Sequence, residues 1–164
     1  RLESDLLQVV AEGHRALVFS QFTRYLSRVR TRLDAAGIGH VYLDGRTRKR
    51  AEVVEASRRG DVPVFVISLK AGGVGLNLTE ADYCFILDPW WNPAVEDQAI
   101  DRTHRSGRVN PVVVYCYVAQ RTIEEKVMEL KARKAALFND VIDADGALAG
   151  ALTEADVRGL LDLT

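Results

Sequence analysis

The sequence predicts a doubly wound α/β domain: a mostly parallel sheet with helices on both faces and a helical extension at the C-terminal end. Three features predict it. Short apolar runs rich in β-branched and aromatic residues recur along the chain, stretches with helical periodicity separate them, and glycine or proline marks the joins. Strands that are apolar almost throughout, alternating with helices, belong to parallel sheets covered on both faces.

Five strands are expected, at residues 16–19, 41–43, 64–67, 83–87 and 112–118. Most of these runs are too short for helices. Between the first two, Phe22, Leu26, Val29 and Leu33 fall at steps of four, three and four, the spacing of one apolar helix face, and Gly37 stops that helix. Thr47 is expected to cap a second helix running to about residue 59, closed by Gly60 and Pro63. Residues 93 to 104 read as a further helix, with Gly107 and Pro111 returning the chain to a strand. Thr122 with Glu125 forms a capping-box signature, and Ile123, Val127, Leu130 and Leu137 then make the apolar stripe of a long helix to about residue 139. A loop of Asp, Gly and Ala follows, and residues 153–161 can form a short last helix. One domain is therefore expected over residues 1–138, with an acidic loop and short helix, 139–164, appended to it.

At 164 residues and 48% hydrophobic, the chain can bury one core of its own. No apolar run approaches the roughly 18 to 20 residues that span a bilayer, and the N-terminal stretch lacks the layout of a signal peptide. A soluble, intracellular protein without membrane contact is expected. Cys84 and Cys116 both fall in apolar strand runs, so buried reduced thiols are expected, and zinc and redox chemistry are set aside. The acidic DADG piece, residues 143–146, lacks the other ligands of a calcium loop, and no metal ligands are assigned.

The net charge of −1 conceals polarity along the chain. Residues 15–60 hold eleven Lys or Arg against four acids, a net of +7, whereas residues 139–164 hold six acids against Arg158 alone. Polarity of this kind can make a local phosphate-binding surface. Arg24, Arg28 and Arg32, spaced by four, are read as the solvated face of a helix. Arginine outnumbers lysine 17 to 5, which fits a GC-rich genome, and so a bacterial source, as readily as selection for side chains that fork onto phosphate.

Chemistry concentrates in residues 65–108. AGGVGLN, residues 71–77, follows a strand directly, where glycines let backbone amides approach a phosphate. Neither GxxxxGK[ST] nor GxGxxG is met, so a ligand-free tight turn stays open as an alternative. Gln98, Arg102 and Arg105 lie four and three residues apart and project from one helix face. Two guanidiniums beside an amide suit a polyphosphate, because arginine keeps its charge and forks onto phosphate oxygens. The competing possibility is a salt-bridge ladder with Glu96, Asp97 and Asp101. DPWWNPA, residues 88–94, sets Trp90 and Trp91 in a proline-bracketed loop suited to pack on a sugar, a base or a partner lobe. Ser20, Gln21 and Phe22, and the segment LDGRTRKR at residues 43–50, end two other strands with groups that can bind a phosphate backbone.

With LVFSQFT, YLDGRTRKR, ISLKAGGVGLNLTEAD, DPWWNPAVEDQAIDRTHRSGR and TIEEK in this order, the chain resembles the C-terminal motor lobe of the Swi/Snf-type ATPases of helicase superfamily 2. The resemblance covers residues 14–138. It implies a RecA-like lobe that tracks double-stranded DNA and works with ATP and Mg2+ bound mainly by an N-terminal lobe of the same polypeptide. It places Gly73 and Gly75 at the cleft between the lobes, and Gln98, Arg102 and Arg105 in the arginine-finger motif near the ATP phosphates. Ser20, Gln21, Asp44, Gly45, Ser68 and Lys70 match segments lining the DNA groove, and Trp90 or Trp91 matches an aromatic at its edge. The chain departs from the family at Thr103, where alanine is usual, and at Ser106 and Arg108, where an aliphatic residue and glutamine are usual.

The P-loop lysine and the acidic metal-binding motif of such motors occur nowhere in the chain. The lobe alone is expected to hydrolyse no ATP and to be part of a longer polypeptide, with a DNA-bound protein as a further partner. It would work in the cytoplasm or nucleoid of a bacterium, or in the nucleus of a eukaryote. An RNA helicase-type or RNA polymerase recycling motor is the nearest alternative, and a non-catalytic protein-interaction scaffold is the alternative from another class.

Overall fold

The computed structural model describes residues 1–72, 81–89 and 112–142, the side chains of Lys70 and of residues 133–142 excepted. The elements run α1 (Leu2–Ala11), β1 (Ala16–Ser20), α2 (Thr23–Ala35), β2 (His40–Leu43), α3 (Arg50–Arg59), β3 (Val64–Ser68), α4 (Leu69–Gly72), β4 (Tyr83–Ile86), β5 (Val113–Cys116) and α5 (Ile123–Ile142). The five strands stand in the order β2-β3-β1-β4-β5, and every pairing is parallel. From β1 the chain steps out to the β2 edge, returns for β3, and then crosses β1 to reach β4. The sheet therefore changes direction around β1, and the crevice beyond the carboxyl ends of such strands is where doubly wound folds take ligands.

Strand alternation divides the core in two. Leu17, Phe19, Phe65, Ile67, Cys84 and Ile86 pack on one face, against Val53 and Val54 of α3. Ala16, Val18, Val64, Val66 and Phe85 pack on the other, against Leu6 and Val9 of α1 and Leu26, Val29 and Leu33 of α2. Both faces are covered, which is why β1 and β3 are buried at every position and carry no polar alternation.

Phe22 departs from the expected stripe. It is the N-cap of α2, with extended backbone (φ −96°, ψ 100°), and its side chain is 55% exposed. A residue outside the helical rotation does not share the helix's face, whatever its spacing. The C-terminal stop is as expected: Gly37 takes φ 68°, its N–H donates to the Asp34 carbonyl, and the Ile38 N–H donates to that of Leu33. That pair of bonds is the Schellman arrangement, which glycine allows without strain. Gly60 closes α3 in the same left-handed conformation, at φ 78°.

Thr47 does not cap α3. The helix begins three residues later, its N-cap Lys49 makes no side-chain cap bond, and the Thr47 hydroxyl is engaged with Asp44 instead. At the start of α5 the reciprocal capping is offset by one residue. The Glu124 N–H donates to the Thr122 hydroxyl at 3.2 Å, and the Arg121 N–H donates to the Glu125 carboxylate at 2.8 Å. Ile123 is 46% exposed, so it stands off the expected stripe; Val127 and Leu130 are half-buried, and the Leu137 side chain lies outside the described residues.

The last strand is shorter than expected and exposed at all four positions. It pairs with β4 on one side, and its Tyr115 ring lies parallel to that of Tyr83, centroids 6.3 Å apart. Beyond it, the Tyr117 hydroxyl donates to Asp5 of α1 at 2.5 Å, and burial together with that carboxylate pushes its pKa upward. Cys116 corrects the expectation of two buried thiols, because the strand that carries it is exposed. Cys84 is fully buried, burial pushing its thiol up to about 12, and neither cysteine is in a disulfide. Among the described residues no helix is long and apolar enough to cross a membrane. The expected helices over residues 93–104 and 153–161 lie outside the described residues.

Candidate functional site

The carboxyl ends of β1, β3 and β4 come together at one edge of the sheet. Ser20 and Ser68 are register partners there, the last residues of β1 and β3, and both are buried. Their hydroxyls lie inside the edge and not on its surface. The Ser20 hydroxyl accepts the Phe22 N–H at 3.0 Å, which turns the chain from β1 into α2.

Asp88, just past β4, completes this edge. Its carboxylate accepts the backbone N–H of Gln21 at 3.0 Å, while the neighbouring Leu87 N–H donates to the Phe19 carbonyl at 2.9 Å. The loop after β1 and the root of the tryptophan loop are thereby fixed to each other. Asp88 is 3% exposed, and among the described residues its Oδ1 has no hydrogen-bond partner. Burial pushes its pKa above its ordinary value, with hydrogen bonds from Ser20 and Gln21 opposing the rise and Glu124 adding to it.

The segment after β2 forms a second, self-contained loop. One Asp44 oxygen accepts the Arg46 N–H at 2.9 Å and the Thr47 hydroxyl at 3.0 Å, and the other accepts the Tyr42 hydroxyl at 3.1 Å. Burial alone would raise the Asp44 carboxyl, but these bonds together hold it below its ordinary value. The hydrogen-bonding capacity of Asp44 is thus spent on shaping the loop. Tyr42 is pushed up to about 12 by burial and by that carboxylate, and the Arg30 guanidinium lies 4.4 Å from its ring centroid. At Gly45 a Cβ would meet no atom within 4 Å, and Arg46 and Arg48 are exposed beside it. At the start of α3, Arg50 reaches across to donate to the Ala71 carbonyl at 2.8 Å.

The structure brings Ser20, Gln21 and Ser68 to one edge, and Asp44 and Gly45 to the loop after β2. Lys70 lies in α4, its side chain outside the described residues. Gly73, Gly75, Trp90, Trp91, Gln98, Arg102, Arg105 and the departures at Thr103, Ser106 and Arg108 also lie outside the described residues. Among the described residues, no group of three or more His, Cys, Asp or Glu could hold a metal ion. Sequence reasoning gave no role of their own to Asp88 and Tyr42, and read Arg50 only as part of the basic segment 43–50. Asp88 had a signal, an acid directly after a buried strand, and Arg50 another, a cation at a helix start.

This sheet and its carboxyl edge define a RecA-like α/β lobe, and the chain belongs to the helicase conserved C-terminal domain family, whose model matches residues 2–107. It is 43% identical over 149 residues to the ATP-dependent helicase rhp16 of Schizosaccharomyces pombe, covering 89% of this chain and 17% of that protein. It is 41% identical over 153 residues to the DNA repair protein RAD5 of Cryptococcus neoformans, 91% of this chain and 13% of that one. With RAD5A of Arabidopsis thaliana, also a DNA repair protein, it shares 38% identity over 160 residues, 96% of this chain and 15% of that one. The crystal structure of the C-terminal part of the Fun30 ATPase domain superposes with a TM-score of 0.77 at 29% identity, covering 97% of this chain and 49% of that chain. The chain thus spans less than a fifth of the length of these three relatives. All three are eukaryotic, so they lend no support to the expected bacterial source.

Proposed function

We propose that this chain is the C-terminal motor lobe of a Swi/Snf-type translocase that moves along double-stranded DNA by ATP hydrolysis. The family match over residues 2–107 carries this reading. The DNA-repair relatives favour DNA over RNA as the track and, being eukaryotic, a nuclear setting; the duplex form of the track and a DNA-bound protein as substrate are part of the proposal. The lobe's own part is to grip phosphates and to complete the ATP site of an N-terminal lobe in the same polypeptide.

Backbone and side chains at the carboxyl edge carry out the grip. Gln21, fixed by Asp88, and the open backbone at Gly45 beside Arg46 and Arg48 present hydrogen-bond donors and charge to a phosphate backbone. Ser20 and Ser68, being buried, shape this edge from inside, and Asp44 acts through its loop. Lys70 and a tryptophan of the 90–91 pair extend the same groove.

Toward the nucleotide, Gly73 and Gly75 supply backbone amides, while Arg102 and Arg105, oriented by Gln98, balance charge developing on the γ-phosphoryl group as the lobes close. ATP supplies the free energy, and the Mg2+ ligands belong to the N-terminal lobe, without which this lobe is inactive. Arg105→Ala in the polypeptide that joins both lobes should lower DNA-stimulated hydrolysis by about 10³ to 10⁵ while folding is retained. Near-normal turnover would sink the arginine-finger assignment, and stronger stimulation by RNA than by duplex DNA would sink the track.

A further inference from the structure

Arg50 stands where an α-helix least favours a cation. It is the first residue of α3, preceded by Arg48 and Lys49, and the unpaired N–H groups of a helix start carry partial positive charge. Glu52 is the acid of that first turn, and Lys49 pairs with it at 3.1 Å. Arg50 instead leaves the helix and donates from Nη2 to the Ala71 carbonyl at 2.8 Å, across 21 positions of sequence. Ala71 is 1% exposed and lies in α4, so its carbonyl is shielded from water and Arg50 supplies it a donor. A guanidinium there makes a charge-assisted bond, stronger than one between neutral groups. The cation is unfavourable for its own helix and favourable for the segment it reaches.

The two segments so joined serve different ligands in the function proposed above, on which this step rests. Asp44 and Gly45 precede α3 in the loop after β2, and Gly73 and Gly75 come two and four positions after Ala71 in the sequence. We infer that Arg50 is a positioning residue: its hold on the Ala71 carbonyl fastens α3, and with it the DNA-facing loop, to α4, the helix that leads into the glycine-rich sequence. Occupancy of the DNA groove is thereby passed to the nucleotide cleft. Alanine removes the clamp altogether, whereas lysine keeps a donor and loses the planar fork.

The experiment uses the polypeptide joining both lobes, with Arg50→Ala, Arg50→Lys and, as a control on an exposed neighbour, Arg48→Ala. Hydrolysis is titrated with duplex DNA, and hydrogen exchange is followed over residues 69–77. Arg50→Ala should lower the DNA-saturated rate on the order of tenfold, the loss of one charge-assisted bond, with the half-stimulating DNA concentration changed less than about twofold. It should also speed exchange over residues 69–77, with Arg50→Lys intermediate in both readouts and Arg48→Ala without effect on exchange. Where the alanine variant does not fold, the lysine variant carries the same comparison. Unchanged exchange overturns the clamp, and a normal saturated rate with weakened DNA affinity overturns the coupling by making Arg50 a phosphate contact. If the wild type shows no DNA stimulation, the proposed function fails with the coupling, while faster exchange in Arg50→Ala would still uphold the clamp.

Discussion

Asp88 is buried at the junction of two loops, one carboxylate oxygen holding the Gln21 N–H and the other without a partner among the described residues. A carboxylate so placed is charged against its surroundings, which is why burial raises its pKa. The folded-state pKa lies above the unfolded one, so the fold favours the neutral acid. That stabilising preference is fully present below the unfolded pKa and is lost as pH rises through the folded pKa. At neutral pH Asp88 therefore costs stability while it fixes the edge. Asp88→Asn, which keeps an acceptor for Gln21, should raise the melting midpoint near neutral pH, and the gain should shrink as pH falls to about 4. Thermal melts of both proteins across that range decide it. A gain independent of pH would mean that packing, and not ionisation, sets the difference.

The helices show which patterns can be trusted. Leu26, Val29 and Leu33 of α2 are buried against the sheet, whereas Phe22, one step earlier in the same spacing, is exposed because the helix has not yet begun. Leu26→Ala should cost about 2–5 kcal/mol of stability, and Phe22→Ala within about 0.5 kcal/mol of nothing. Denaturation of the two variants tests this, and equal losses would contradict the assigned helix start. The same logic explains what was legible in the sequence. β1, β3 and β4 announced themselves because strands buried on both faces must be apolar at nearly every position, and Gly37 and Gly60 because left-handed caps favour glycine. Thr47 misled because a hydroxyl can serve a loop acid as well as a helix start, and here Asp44 takes it. Cys116 misled because an apolar strand at the sheet's edge need not be covered. Of the candidate site, Ser20, Gln21, Asp44 and Gly45 were identifiable as strand-end residues, and Ser68 through the family resemblance alone. That the two serines are buried, and that Asp88 and Arg50 tie the loops, depends on pairings distant in sequence, which no local pattern encodes.

At the scale of the whole lobe, the polarity of charge becomes a polarity of surface only where the cations stay exposed. Of the eleven basic residues at 15–60, several are committed within the fold: Arg15 to the Ser57 carbonyl, Arg30 to the Tyr42 ring, Lys49 to Glu52, Arg50 to Ala71 and Arg59 to Asp61. Net charge therefore overstates the phosphate-binding capacity of this stretch. Arg46 and Arg48 are exposed beside the open backbone of Gly45, at the carboxyl end of β2, where the proposed DNA groove runs. Each phosphate neutralised by such a side chain releases condensed counterions, and the logarithm of affinity then falls with the logarithm of salt by about 0.9 per contact. Changing both arginines to alanine in the two-lobed polypeptide should thus reduce the steepness of the salt dependence for duplex DNA by about 2, uniformly across DNA sequences. Arg59→Ala, whose cation is already paired with Asp61, should leave that slope within error of the wild type. Fluorescence anisotropy over a salt series measures all three. A slope unchanged in the double variant would move the DNA track off the β2 edge, and a loss confined to particular sequences would replace backbone gripping with base reading.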